Sequence, residues 1–154
     1  MSISKYSVKN VATVKKDARI EEAIEVMKSY SVDNVVVVEI RAGKPYPMGH
    51  VTSYDIVTKA FKSASNYKDV SVKDVMSDHP VTCEEGHGIQ ETINLMQKHN
   101  LERLPVVDEL GALVGLITAS DLFEILSEEF SGLTKRKGRQ TWRTKQSANP
   151  QTSM

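Results

Sequence analysis

The chain has 154 residues, 40% hydrophobic and 26% charged, with 20 Lys and Arg balanced by 20 Asp and Glu. That length suits one compact domain, or two small halves sharing a core, and allows roughly 68–70% of the unfolded surface to be buried without a staple. The longest apolar run, Val35–Val38, is too short to span a membrane, Met1–Lys5 lacks the apolar stretch of a secretory signal, and the single Cys83 excludes an internal disulfide framework and a multi-cysteine zinc site. The expectation is a soluble, cytoplasmic, mixed α/β protein.

In chain order, a first strand is expected around Val14. It precedes a helix from near Asp17 to near Ser31, because Ile20, Ala23, Ile24 and Met27 follow the i, i+3, i+4, i+7 spacing of one helical face. Val35–Val38, β-branched throughout, reads as a buried strand. A turn over Arg41–Pro45 leads to a strand over Met48–Val51, and a second helix after Thr52 is expected to bury Ile56, Val57, Ala60 and Phe61.

The same order then returns. Ser71–Val75 resembles Ser7–Val11; Ile89, Thr92, Ile93 and Met96 match the first helix; Leu104–Val107 matches the first buried strand; and Gly115–Asp121 matches Gly49–Asp55. Cys83 falls beside Val14 in this alignment and is expected to pack in a strand. The last helix is expected to bury Leu122, Leu126 and Phe130. The numbering offset between copies runs 64, 69 and then 66, which places length changes near Met76–Pro80 and around Ala42–Tyr46. The fold class is therefore α/β: two β-α-β-β-α units over residues 7–62 and 71–130, packed sheet to sheet with pseudo-twofold symmetry. A basic tail over 131–154 reads as an extended appendage. A three-stranded sheet cannot cover both its own faces, which gives the repeat a reason to come as a pair.

The sharpest motif is Gly-x-Val/Ile-Thr-x-x-Asp, at Gly49–Asp55 and Gly115–Asp121. It has two readings. In one, the threonine and aspartate form a capping box that closes the helix start. In the other, the helix N-terminus and the threonine hydroxyl seat a phosphate while the aspartate accepts from ribose hydroxyls. Chemistry alone leaves both open.

Val72–Ser77, Pro80–Thr82, Leu104–Asp108 and Gly115–Asp121 together resemble the cystathionine β-synthase (CBS) domain, with the first copy a more diverged example. The resemblance covers roughly Ser7–Phe130. It implies a tandem pair, associating as a homodimer, whose clefts bind an adenosyl ligand: AMP, ADP, ATP, S-adenosylmethionine or a dinucleotide. Residue by residue it implies one site joining Thr52 and Asp55 to Thr82, Cys83, Arg103 and Pro105. A second would join Thr118 and Asp121 to Thr13, Ala18, Asp33 and Asn34. Arg103 is the expected phosphate ligand, being permanently charged and able to bind in a bidentate manner. Its counterpart Asn34 carries no charge, and Asp33 beside it would repel a polyphosphate.

No catalytic or metal-binding constellation accompanies these motifs, and the four histidines show no ligand spacing. The chain reads as a sensor of adenine nucleotides with no enzyme activity, acting on a regulated protein the sequence does not identify. From Met1 to Phe130 the net charge is −6, whereas the tail has six cations and no anion. Lys135, Arg136, Lys137, Arg139 and Arg143 flank Trp142, a composition that can neutralise phosphates and stack an unpaired base. The alternative function is therefore a dimeric interaction protein whose tail binds nucleic acid or an acidic partner. The bland alternative is a solubilising extension.

Overall fold

A computed structural model of the chain describes residues 2–60, 62 and 66–134. The expected nucleic-acid-binding residues Lys135, Arg136, Lys137, Arg139, Trp142 and Arg143 lie outside that range, as does Phe61. The backbone packs as one unit over Met1–Ala119 and another beginning at Ser120.

Within the first unit, β1 (Thr13–Lys15), α1 (Ile20–Tyr30), β2 (Asn34–Arg41), β3 (Lys44–Thr52) and a short α2 (Ser53–Asp55) form the first copy. The second comprises β5 (Cys83–Glu84), α4 (Ile89–His99), β6 (Arg103–Val107), β7 (Leu113–Thr118) and the start of α5 (Ala119–Leu133). Between them lie α3 (Val72–Val75) and β4 (Ser77–Asp78). One sheet has the order β1-β2-β3-β4 and the other β5-β6-β7, and β3 and β7 touch. In each, the first strand runs parallel to the second, which is antiparallel to the third.

Hydrogen bonding sets the true register of the repeat. Val72 N–H donates to Ala18 O at 2.8 Å, and Ile3 N–H donates to His87 O at 3.1 Å. Arg19 bridges Ser71, and Gly88 bridges Ser2. Ser31 and Asn100 end α1 and α4 in the same left-handed conformation, with φ of 54° and 52°. All these pairs share an offset of 69, so the counterpart of Ser71–Val75 is Ser2–Tyr6, and the expected match to Ser7–Val11 is corrected. No residues are gained at Met76–Pro80. The offset falls to 66 only across the β2–β3 hairpin, where the first copy is longer. The resemblance of Ser7-Val-Lys-Asn to Ser71-Val-Lys-Asp misleads because so short a match carries no register, whereas the hydrogen bond from Val72 to Ala18 and that from Ile3 to His87 fix the pairing.

That register reveals an exchange of arms. The segment preceding the second copy contributes Val70, Val72 and Val75 to the core of the first, alongside Val14, Ile20, Met27, Val35, Val37 and Val51. The segment preceding the first copy places Ile3, fully buried, against His87, and pairs Val8 with Leu116 of β7. Full burial of a Val or Ile side chain contributes about 1.5–3 kcal/mol. Neither copy completes its core alone. Thr92, which replaces Ala23 at 0% exposure, satisfies its hydroxyl by donating to Gly88 O at 2.8 Å.

Three local expectations change. β3 begins at Lys44, four residues early, because Ala42 and Gly43 both take positive φ (49° and 78°) and close a two-residue hairpin turn. Pro45 and Pro47 are tolerated in β3 because β4 pairs only with Gly49 and His50, leaving the proline half an edge. After Asp55 the helix widens into a π turn over Ile56–Ala60, which buries Ile56 and Ala60 but leaves Val57 61% exposed. In α5, Leu122 and Ile125 are buried, whereas Leu126 and Phe130, expected inside, are exposed. The apolar residues of α5 (Leu122, Phe123, Ile125, Leu126, Phe130 and Leu133) span too wide an arc for one narrow stripe to bury them all.

Candidate functional site

β2 and β3 pair Asn34 with Thr52, and β6 and β7 pair Arg103 with Thr118, so each sheet presents a threonine beside the opening residue of its central strand. A cavity of about 440 Å³ lies between the sheets. The first copy contributes Asp33, Asn34, Val36, Gly49, His50 and Thr52; the second contributes His99, Asn100, Leu101, Glu102, Arg103, Pro105 and Leu116. His79, Pro80 and Val81, leading into β5, complete the lining.

Thr52, Arg103 and Pro105 thus line one cavity together. Asp33 and Asn34, expected beside Thr118, line the same cavity as Thr52. The reason is the β2–β3 register: Asn34 is Thr52's direct partner, and Asp33 O accepts from Ser53 N–H at 2.8 Å. The second copy repeats this tie, with Glu102 O accepting from Ala119 N–H at 2.7 Å. Thr13 pairs with Val36 at the start of β1, and Thr82 immediately precedes β5; neither lines the cavity. Ala18 and Cys83 are buried, Ala18 in the first core and Cys83 with its thiol 3.8 Å from Pro105 O. Burial pushes the Cys83 thiol up to about 11, so it is not a ready nucleophile. Asp121 lies in α5, beyond the first unit.

The Thr52–Asp55 motif forms a complete capping box. Asp55 N–H donates to Thr52 Oγ1 and Thr52 N–H donates to Asp55 Oδ2, both at 3.0 Å. Lys59 Nζ lies 3.3 Å from Asp55 Oδ1. Burial raises the Asp55 carboxyl, but the Thr52 hydrogen bonds and the Lys59 charge outweigh it and hold it below the usual carboxylate range. Asp55 does not line the cavity, although its Thr52 partner does.

Across the cavity mouth, Arg103 Nη1 lies 3.8 Å from Asp33 Oδ1, which also accepts from Asn34 Nδ2 at 3.0 Å. The Asn34 hydrogen bond and the Arg103 charge together hold Asp33 below its ordinary value, against partial desolvation. The histidines at positions 50, 79 and 99 are cavity groups that spacing alone did not mark: His50 lies in β3, His79 follows β4 and His99 ends α4. The cations Lys16 and Arg19 turn elsewhere, Lys16 to Glu39 at 3.5 Å and Arg19 to Lys68 O at 3.3 Å. Among the described residues, no three His, Cys, Asp or Glu groups cluster to hold a metal, and no helix is long and apolar enough to cross a membrane.

Among known proteins, the chain is 32% identical over 108 residues to an uncharacterized protein of Methanopyrus kandleri, covering 68% of this chain and 54% of that one. It is 35% identical over 117 residues to the inosine-5′-monophosphate dehydrogenase of Methanocaldococcus jannaschii, covering 76% of this chain and 22% of the enzyme. It therefore spans about half the length of the first relative and about a fifth of the second. Similar solved folds include AcuB of Vibrio cholerae (TM-score 0.72, 23% identity, 89% and 98% of the chains). CBSX2, a CBS-pair protein known from Arabidopsis thaliana, has been solved in complex with AMP (TM-score 0.69, 21% identity, 82% and 96%). The CBS domain pair of protein MJ0100 has been solved with 5′-methylthioadenosine and S-adenosylmethionine (TM-score 0.68, 22% identity, 84% and 98%). The CBS domain model matches residues 3–62 and 72–128, two segments whose starts are 69 residues apart, and this chain belongs to the CBS domain family.

Proposed function

We propose that the protein is a regulatory module that binds an adenosyl ligand in the cavity between its two repeats and signals by changing how they or their dimer are arranged. The observation that carries this is the meeting of Thr52, from the first copy's motif, with Arg103, from the second copy, around one cavity of about 440 Å³. That volume is in the usual range for small-molecule sites. Thr52 offers a hydroxyl at a helix start and Arg103 a fixed charge for phosphate. Pro105 and Leu116 give apolar surface for a ring. Asp55, which does not line the cavity, holds Thr52 in place through the capping box. The holo structures of similar fold, with AMP in one and S-adenosylmethionine in another, support this ligand class.

A ligand touching both copies favours the arrangement in which they meet, and shifts it only by its differential affinity. A homodimer is the natural recipient of that shift. In the first unit Tyr54 and Val57 are 74% and 61% exposed, and in α5 Phe123, Phe130 and Leu133 are each about 70% exposed, apolar side chains that a second copy could cover.

The test is calorimetric titration of the full chain with AMP, ADP, ATP, S-adenosylmethionine and NADH, repeated with Arg103→Ala. Binding of at least one ligand, weakened about 10-fold or more for phosphate-bearing ligands in the variant, is the expected result. A ligand at 100 times its dissociation constant should also stabilise the fold by about 2.7 kcal/mol. Silence across the panel leaves the threonine–aspartate motif as a helix cap and refutes the proposal.

A further inference from the structure

We infer that Asp33 is a specificity-determining residue: an anion of the protein's own that pairs with Arg103 and biases the cavity toward adenosyl ligands of low negative charge over nucleoside triphosphates. This rests on the adenosyl-binding reading above and adds to it which member of the class the site prefers.

Arg103 is the one permanent cation among the described residues lining the cavity, where Asp33 lies beside it and Glu102 also lines the wall. Asp33 is placed, not wandering. Its carbonyl is tied to Ser53 N–H at 2.8 Å, one residue past Thr52, and its Oδ1 receives the Asn34 amide at 3.0 Å. That leaves the same oxygen 3.8 Å from Arg103 Nη1. A phosphate drawn to Arg103 therefore arrives beside a fixed carboxylate. One phosphate, or the positive sulfonium of an S-adenosylmethionine-like ligand, meets little or favourable interaction there. Each added phosphate charge then finds Arg103 already partly neutralised by Asp33. The pair joins the two copies at the cavity mouth, so a ligand that displaces it also loosens a contact between them. The cavity also holds the imidazoles at positions 50, 79 and 99, and the comparison is made at one fixed pH, about 8, so that these groups are the same in every arm.

The experiment compares AMP, ATP and S-adenosylmethionine binding to the full-length chain, Asp33→Asn, and Asp33→Asn/Arg103→Ala, by calorimetry at that pH. Asparagine keeps the size of the side chain, the backbone tie to Ser53 does not depend on it, and the side chain is 77% exposed, so folding should persist. The expected result is a shift of the ATP-to-AMP affinity ratio by about tenfold toward ATP in Asp33→Asn, with loss of the shift in the double variant. An unchanged ratio, with AMP or ATP still bound, overturns the inference and leaves the adenosyl reading standing. A shift that survives Arg103→Ala overturns it too, because the charge would then act elsewhere. Failure of every ligand to bind wild type and variant alike removes the adenosyl reading and the inference with it.

Discussion

Replacing Gly49 by alanine separates the two copies of the motif by a purely steric difference. A Cβ at Gly49 would lie 2.2 Å from Ser77 O and 3.2 Å from Ser77 C, both backbone atoms of β4. No rotamer change relieves that contact, so β3 and β4 must part and lose their pairing at Gly49–Asp78 and His50–Ser77. At Gly115 the nearest obstacle to a Cβ is Ser7 Oγ at 2.8 Å, a side-chain atom, with Val8 O at 3.1 Å. Overpacking of this kind costs about 1–3 kcal/mol, and Gly49→Ala should lie at or above the top of that range while Gly115→Ala lies near the bottom. At about 2–4 °C per kcal/mol for a chain of this size, the expected melting shifts are about 6–12 °C and about 2–4 °C. Thermal melts followed by circular dichroism on both variants provide the assay. Because Gly49 also lines the cavity, ligand binding should fall in Gly49→Ala even at temperatures where it is folded. Equal shifts for the two variants, or a larger one for Gly115→Ala, would refute the account of how the arms cross the sheets.

Thr52→Val removes the side-chain half of the capping box and should cost about 1 kcal/mol in a chemical denaturation experiment, whereas Thr52→Ser should cost little. Asp33, Asp55 and Asp74 all have carboxyls held below their ordinary values, Asp74 by hydrogen bonds from Ser71. Their contribution is therefore present above the unfolded carboxylate range, near pH 4, and is lost as pH falls through the lower folded values. Asp55→Asn should flatten the acid limb of a stability–pH curve, and an unchanged limb would remove Asp55 as a contributor. Cys83, at 1% exposure, should resist a thiol reagent at pH about 8 in the native protein and react fully in denaturant. Fast native labelling would mean that β5 opens readily.

The amino-acid sequence by itself determined the elements and their doubling. Helical spacing at Ile20, Ala23 and Met27, the β-branched run Val35–Val38 and the repeated Gly-x-Val/Ile-Thr-x-x-Asp are short-range signals, and each is realised where it is written. It also made Thr52 a helix cap, because that geometry involves only residues three apart. Tertiary structure decided the rest, because those features depend on contacts between distant segments. The arm register, Ser2–Tyr6 against Ser71–Val75, follows from hydrogen bonds to His87 and Ala18 that no local pattern encodes. Which apolar residues of α5 are buried, and the exposure of Val57 after the π turn, were settled by helix phase in three dimensions. The meeting of Asp33 with Arg103, 70 positions apart, was likewise invisible in the chain: each was legible as a charge, but only the approach of the two sheets sets them 3.8 Å apart at one cavity.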